Sequence, residues 1–176
     1  MSAKDEVAKL KPLNILLYPH SFVSGEHQKS FKVIYYLNKE TKHFYTQATF
    51  TDAAQGPPKH VHGGVTAAIF DEALGGAAWF NGYPVLTAQL NLTFKVPINI
   101  KTKIFVDSWI DSIERKKIYL KGVMVDSDDI IYAEATGIYL FQDIEIFKKM
   151  GNLSDDYFNK VKNYIGINFH SIKVNK

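Results

Sequence analysis

A lone carboxylate inside an apolar segment is the first candidate for chemistry in this sequence. Residues 62–80 are almost all apolar or small, which predicts a helix buried in a core. Asp71 lies in the middle of this segment, with no Lys, Arg or His within one helical turn. Because an unpartnered carboxylate is costly to bury, we expect either that Asp71 faces a cleft or that a group from elsewhere in the fold compensates for it.

The start of the same segment has the features of an anion site. His62, Gly63 and Gly64 precede the apolar residues, and Pro57-Pro58 stand a few positions earlier. Glycines at a helix start let another group approach the free backbone N–H donors. The positive end of the helix dipole lies there too, so this position suits an oxyanion.

The spacing of these two features predicts a homodimer. Gly64 and Asp71 are seven residues apart, so they share a helix face but lie roughly 10 Å apart along its axis. One small reacting group cannot touch both. If both serve one reaction, the second must come from an antiparallel copy of the helix, which gives two sites per dimer.

Composition narrows the class of protein. The chain of 176 residues is expected to form one domain, and 46% of its residues are hydrophobic. The absence of cysteine excludes disulfides, thiolate nucleophiles and cysteine-based zinc sites. The net charge is +3, but the basic residues are dispersed and only Arg115 is an arginine, so we expect no nucleic-acid partner. We expect no transmembrane segment, no signal peptide and a cytoplasmic location, with organellar targeting left open.

The elements around the apolar helix are predicted to be mainly strands. A short helix is expected within residues 4–17, with Val7, Leu10 and Leu13 on one side. The segments typical of a hairpin and four long strands span residues 31–37, 43–50, 85–95, 103–113, 117–125 and 130–141. Polar turns favour an antiparallel meander of the last four segments, with residues 97–99 joining the first two. One antiparallel sheet wrapped around a central helix is an α+β fold.

The same patterns divide the chain into three parts. Residues 1–29 form an N-terminal extension, 30–141 the main domain and 142–176 a C-terminal extension. Within the last part, Ser154-Asp155-Asp156 indicate the start of a short helix that packs on the domain. The residues at helical spacing after it are Tyr157, Val161, Tyr164 and Ile165.

The helix and the strand after it, taken together, resemble those of the hot-dog-fold acyl-CoA thioesterases. The resemblance is to the branch with the phenylacetic-acid-pathway thioesterases and the thioesterase superfamily members 2 and 4 of animals. It covers about residues 30–141. The matching features are Gly56-Pro57-Pro58, His62-Gly63-Gly64, Asp71 nine positions after His62, residues 86–97, and Glu114-Arg115-Lys116-Lys117.

The resemblance implies an enzyme that hydrolyses acyl-CoA to the free acid and CoA. Asp71 matches the family's nucleophile or general base, and the backbone around Gly63 and Gly64 matches its oxyanion site. Thr87 matches a residue that positions the attacking water, and His62 matches the motif histidine, which has a supporting role. The positions that match contacts to coenzyme A are Thr93, Lys95, Lys116 and Lys117. The family builds its sites across a two-fold interface, which implies a homodimer or a dimer of dimers. No metal is expected, and no cofactor apart from the CoA of the substrate.

Two positions depart from the family pattern. Some relatives have Asn six residues before the motif histidine, where this chain has Gly56. Glu72 next to Asp71 is also unexpected. Because neighbouring helix residues point about 100° apart, we expect Glu72 to reach solvent or the dimer interface.

Three alternatives to a metal-free hydrolase stay open. His60 and His62 could form a metal site with Asp71, although the sequence shows no third convincing ligand. A non-catalytic acyl-CoA-binding protein could keep the same fold. A hot-dog dehydratase would need a His and an acid poised over the acyl β-carbon, and that arrangement is not evident.

Overall fold

The computed structural model describes residues 2–13, 21–151, 154–156, 159 and 163. Its helices and strands are α1 (Ala3–Lys9), β1 (Phe31–Leu37), β2 (Phe44–Phe50), α2 (Gly63–Trp79), β3 (Val85–Phe94), β4 (Ile104–Glu114), β5 (Lys117–Val125), β6 (Ile131–Phe141) and α3 (Ile144–Gly151). The predicted strand segments agree with the observed strands to within one residue at each end. The predicted α+β class is confirmed.

The apolar helix α2 is the centre of the core. Ile69, Phe70, Ala73, Leu74 and Ala77 are completely buried along it. Such a helix gains its stability from apolar burial rather than from an exposed polar face. The sheet packs closely against this buried face of the helix.

Helix and sheet approach each other closely at Gly76. A Cβ at this position would lie 2.5 Å from Cε1 of Phe44, so only glycine lets the two surfaces meet. The Phe44 ring also stacks on Phe80, at a centroid distance of 5.1 Å, and on Tyr35, at 5.5 Å. A column of three aromatic rings therefore joins β1 and β2 to the end of α2.

All strand pairs in the sheet are antiparallel, and the strand order is β1-β2-β4-β5-β6-β3. The meander prediction is confirmed for β4, β5 and β6 but is wrong for β3 and β4, which are not neighbours. The segment between them buries Ile98 and Ile100 and is anchored by backbone hydrogen bonds instead of turning tightly. Val61 N–H donates to the Ile98 carbonyl over 2.9 Å, and Ile100 N–H donates to the Lys59 carbonyl over 3.0 Å. The chain therefore crosses to the other side of the sheet, and β3 becomes an edge strand.

The N-terminal helix is shorter than predicted. It ends at Lys9, and Leu10 is already extended. The physical reason is Pro12, which disfavours helical geometry in the residue before it. Leu13 N–H donates to the Tyr35 carbonyl over 2.8 Å, so this segment pairs with β1. Residues 14–17 of the predicted helix lie outside the described residues.

The C-terminal segment begins with α3, a helix that the sequence pattern did not predict. Its Phe147 ring meets the Trp79 ring edge-on at 4.9 Å. Lys148 forms an ion pair with Asp155 over 2.6 Å, just beyond the helix. Of the helix expected to follow Ser154, the residues Tyr157, Val161, Tyr164 and Ile165 lie outside the described residues. Within the described residues, no helix is long and apolar enough to cross a bilayer.

Candidate active site

Asp71 is held by two hydroxyl groups and not by a cation. Thr87 Oγ1 donates to Asp71 Oδ1 over 2.7 Å. Tyr139 Oη donates to the same oxygen over 2.9 Å and to the Asp71 backbone carbonyl over 3.2 Å. In the described part of the chain, Oδ2 accepts no hydrogen bond and Asp71 forms no ion pair. The carboxylate is partly buried and Thr87 is exposed, so Asp71 borders the surface of the edge strand.

An irregularity in β3 brings Thr87 to this carboxylate. Thr87 lies directly opposite Tyr139 of β6, and the pairing register shifts between Thr87 and Gln89. The extra residue is Ala88, which forms a β-bulge. Beyond the bulge, Leu90 faces Gly137. The bulge therefore allows Thr87 and the later apolar residues of β3 to face α2 together.

The start of α2 is capped by the motif histidine. His62 Nδ1 accepts a hydrogen bond from Gly64 N–H over 2.9 Å. Since Nδ1 is the acceptor, the neutral ring carries its proton on Nε2. Gly63 N–H has no acceptor within the described residues, while Gly64 N–H is already occupied. Of the two glycines proposed as oxyanion donors, Gly63 is therefore the one with an available N–H group.

The loop before α2 explains why Gly56 stands where some relatives have Asn. A Cβ at Gly56 would lie 2.9 Å from the backbone Cα of His62. A side chain of any kind would push His62 away from its capping position. The loop is closed further by a hydrogen bond of 2.8 Å from His62 N–H to the Ala54 carbonyl. The loop thus has no room for the amide that other members of the family carry.

A groove of about 720 Å³ runs beside the first turns of α2. Its apolar lining includes Phe22 and Phe31 from the N-terminal part of the chain and Val65 and Ala68 from α2. His62 and Gly64 line it as well. The groove therefore adjoins the end of the helix where an oxyanion would bind.

Glu72 corrects one expectation of the sequence. Its carboxylate turns toward β1 and is partly buried, and Tyr35 Oη donates to Glu72 Oε1 over 3.0 Å. Burial raises the pKa of Glu72, the hydrogen bond from Tyr35 opposes this, and the charge of Asp71 adds to it. The expectation that Glu72 reaches solvent is wrong, because this side of the helix lies against the sheet. The alternative, that Glu72 lies at a dimer interface, stays a prediction.

The four residues matched to coenzyme A contacts do not form one cluster within a chain. Thr93 and Lys95 lie near the end of β3, where Lys95 forms an ion pair of 2.9 Å with Glu134. Lys116 and Lys117 lie at the β4–β5 hairpin and are exposed. Lys117 pairs with Leu140, which pairs with Leu86 at the start of β3. The two pairs of residues therefore occupy opposite ends of β3.

Tyr139 is the site residue that sequence reasoning missed. It is 1% exposed, and its pKa is raised by burial and by the nearby Asp71 carboxylate, so the hydroxyl remains a donor. It is one of ten tyrosines, and no motif distinguishes it. Only its place opposite Thr87 in the sheet reveals its role. A correct strand pairing, including the bulge, was the signal needed to find it.

His60 and His62, near the helix start, both form hydrogen bonds within the chain. His60 Nδ1 lies 2.9 Å from the Pro58 carbonyl, and His62 Nδ1 caps α2. Among the described residues, no three His, Asp or Glu side chains are grouped so that they could hold a metal ion. Asp71 itself is a carboxylate that accepts hydrogen bonds from the hydroxyls of Thr87 and Tyr139.

Comparison with known proteins matches the central part of the chain to a family. Residues 58–133 match the family model of the thioesterase superfamily. The acyl-coenzyme A thioesterase THEM4 of Bos taurus is 31% identical over 130 residues, which cover 73% of this chain and 52% of that protein. The chain is therefore similar to the thioesterase superfamily over its central part, residues 58–133. The resemblance to the hot-dog thioesterases is thereby confirmed.

Solved structures of the superfamily have the same fold. A crystal structure of a thioesterase superfamily protein matches with a TM-score of 0.59 and 28% identity, over 62% of this chain and 53% of that chain. A Streptococcus mutans protein bound to acetyl CoA matches with a TM-score of 0.59 and 14% identity, over 70% of this chain and 96% of that chain. The hot-dog fold is confirmed. The chain spans about half the length of its bovine relative, at 52%.

Proposed function

We propose that this chain is an acyl-CoA thioesterase, which hydrolyses the thioester to the free acid and CoA. The proposal depends chiefly on Asp71, whose carboxylate lies on an apolar helix, is held through Oδ1 by two hydroxyls and borders an exposed strand. The name of the bovine relative and the acetyl CoA in the Streptococcus mutans structure support this substrate class. Neither a bound acyl-CoA without turnover nor a dehydration gives Asp71 an equally direct task.

Asp71 Oδ2 has two possible routes to hydrolysis. As a general base, it takes a proton from water while the water oxygen attacks the thioester carbon. The C–S bond then breaks, and the CoA thiolate leaves and takes up a proton. As a nucleophile, Oδ2 attacks the carbon itself and expels the thiolate, and water then hydrolyses the mixed anhydride. In both routes Thr87 is suited to position the water.

The developing oxyanion needs donors, and Gly63 N–H is the available one. It lies in the first turn of α2, where the helix dipole favours negative charge. His62 keeps the Gly64 amide in place, which fixes the geometry of the turn. Gly63 and Asp71 of one chain are eight residues apart, or roughly 12 Å along the axis, too far for one carbonyl group.

A two-fold dimer through the β3 edges would bring these groups together. Within one chain, Thr87 near the start of β3 contacts Asp71, and Phe94 at its end packs against Gly63. In an antiparallel pair of β3 strands, the Thr87 end of one copy lies beside the Phe94 end of the other. Asp71 of each chain then faces the partner helix start. The open edge also leaves backbone groups for such pairing.

The same pairing would also assemble the coenzyme A contacts. Lys116 and Lys117 lie at the Thr87 end of β3, and Thr93 and Lys95 lie at its other end. An antiparallel β3 pair places one chain's lysine hairpin beside the partner's Thr93 and Lys95. Lysine side chains suit phosphate groups as point charges. The CoA moiety would thus be bound by both subunits.

The thioesterase proposal is tested by thiol release from a panel of acyl-CoA esters. Wild type should release CoA, and Asp71→Ala should not, while both keep the same circular dichroism spectrum. Binding of acyl-CoA without thiol release by the wild type would favour a non-catalytic binder. Hydration of an enoyl-CoA without hydrolysis of a saturated acyl-CoA would favour a dehydratase.

The shared site is tested by mixing two inactive variants. Asp71→Ala lacks the carboxylate, and Gly63→Pro lacks the proposed donor. Proline is tolerated at the first helical position, and His62, with φ −66° and ψ 136°, already has the conformation favoured before proline. A site built from two chains leaves one intact centre in each mixed dimer, so activity should return on mixing. Failure to recover activity in verified mixed dimers would show that each chain works alone.

A further inference from the structure

Tyr139 has no part in the reaction as described so far, yet it is the most deeply buried partner of Asp71. Its hydroxyl contacts both the side chain and the backbone carbonyl of Asp71, over 2.9 Å and 3.2 Å. It thereby fixes the rotamer of the carboxylate relative to α2. Thr87, the other donor, is exposed and belongs to the edge strand.

We propose that Tyr139 is a positioning residue that fixes Asp71 Oδ1 and so reserves Oδ2 for the reacting group. This inference is built on the proposed thioesterase function. Two donors converge on Oδ1, and none within the described residues reaches Oδ2. An oxygen that accepts two hydrogen bonds is the weaker base and nucleophile of the pair, so the structure makes the two oxygens chemically unequal.

The hydrogen bond from Tyr139 to Oδ1 also leaves Thr87 available for a second role. Because Tyr139 holds Oδ1 from the buried side, the Thr87 hydroxyl can rotate toward a water molecule without releasing the carboxylate. Burial and the Asp71 charge raise the pKa of Tyr139, which keeps its proton available for donation. Glu72, the residue after Asp71 on α2, is directed to Tyr35 of β1.

Two glycines border the space that the Tyr139 ring occupies. A Cβ at Gly137 would lie 2.5 Å from Cε2 of Tyr139, and one at Gly75 would lie 3.8 Å from Cε1. Gly137 in β6 therefore makes the space that lets the ring reach beneath Asp71. The strand, the helix and the ring define one orientation of the hydroxyl.

The test compares two identical substitutions in the same strand. Tyr139→Phe removes the hydroxyl at the site, whereas Tyr132→Phe removes one that donates to Asp126 over 3.0 Å, away from the site. We expect Tyr139→Phe to lower kcat about tenfold or more with KM within about twofold, since the lost bond matters mainly in the transition state. Tyr132→Phe should match the wild type in both kcat and KM.

A second variant keeps the proposal testable if Tyr139→Phe folds poorly. Gly137→Ala retains the hydroxyl but displaces the ring, and it should lower kcat while KM stays within about twofold. Wild-type kcat in folded Tyr139→Phe would overturn the positioning role while leaving the thioesterase intact. An inactive wild type would instead refute the function on which it is built.

Discussion

Two sides of α2 each carry a carboxylate that accepts a hydrogen bond from a tyrosine, but the surroundings of the two carboxylates differ. On the β3–β6 side, Asp71 accepts from Tyr139, and on the β1 side, Glu72 accepts from Tyr35. Asp71 has a second donor in Thr87 and borders an open strand edge. Glu72 has one donor, and burial raises its pKa. A carboxylate that is both well supported and accessible suits catalysis, and one that is only buried suits packing.

The largest expected difference between the two sides is in turnover. Asp71→Ala should lower kcat by about a thousandfold, within the range for loss of an acid–base group, or by more if Asp71 is the nucleophile. Glu72→Gln should keep kcat within about threefold, because its side chain points away from the proposed centre. Thiol release under saturating acyl-CoA measures both. Equal losses in the two variants would abolish the distinction between the sides.

The second donor should account for the next largest effect. Thr87→Val keeps the shape of the side chain but removes its hydroxyl. We expect kcat to fall about tenfold, because the attacking water and Oδ1 each lose a hydrogen-bonding partner. Thr93→Val on the same strand is the matched control for fold and should retain kcat, although KM for acyl-CoA should rise. An unchanged kcat in Thr87→Val would show that the second donor to Asp71 does not matter for turnover, and this difference between Asp71 and Glu72 would lose its meaning.

On the β1 side, loss of the donor should affect stability instead of turnover. Tyr35→Phe keeps the ring stacked on Phe44 and removes the hydroxyl that donates to Glu72. The free energy of unfolding should fall by about 1–3 kcal/mol, the usual cost of leaving a buried polar group without its partner. Urea denaturation measures this loss, and the double variant Tyr35→Phe/Glu72→Gln should recover part of it. A large loss of kcat in a stable Tyr35→Phe protein would contradict the comparison.

The smallest expected effect is a change in how stability depends on pH. Burial raises the pKa of Glu72 above its ordinary value of 4.5, so the folded chain binds this proton more tightly than the unfolded chain. Stability is therefore lost as the pH rises from the unfolded value through the folded one. Glu72→Gln removes this loss, so its Tm should exceed that of the wild type at neutral pH and approach it in acid. A Tm difference that grows toward acid would contradict the direction of the shift.

The periodicity of apolar residues predicted the strands and the central helix well, because burial directly determines which positions are apolar. The ends of α2 and of the strands can be predicted from where the apolar or alternating pattern stops. Asp71 can be recognised because it interrupts an apolar pattern. The connections were harder to predict. Nothing local distinguishes a turn between β3 and β4 from a crossing, and only the burial of Ile98 and Ile100 shows which one forms.

The candidate site was half predictable for a similar reason. Asp71 and Gly63 lie on one predicted helix, so both residues and the distance between them could be predicted from the sequence. The alternation of Leu90, Leu92 and Phe94, continued backwards without interruption, would put Thr87 on the opposite face of β3. The bulge after Thr87 reverses that result. Tyr139 depends on this same local irregularity, which a pattern of residue types does not encode.

The aromatic column of Tyr35, Phe44 and Phe80 also sets the angular position of α2. Because Phe44 fits against Gly76, the helix cannot turn about its own axis without a collision. A turn of about 100°, the step between neighbouring residues, would bring Glu72 to the angular position that Asp71 now has. Three aromatic rings outside the Asp71 site thus select which of two adjacent acids meets Thr87 and Tyr139.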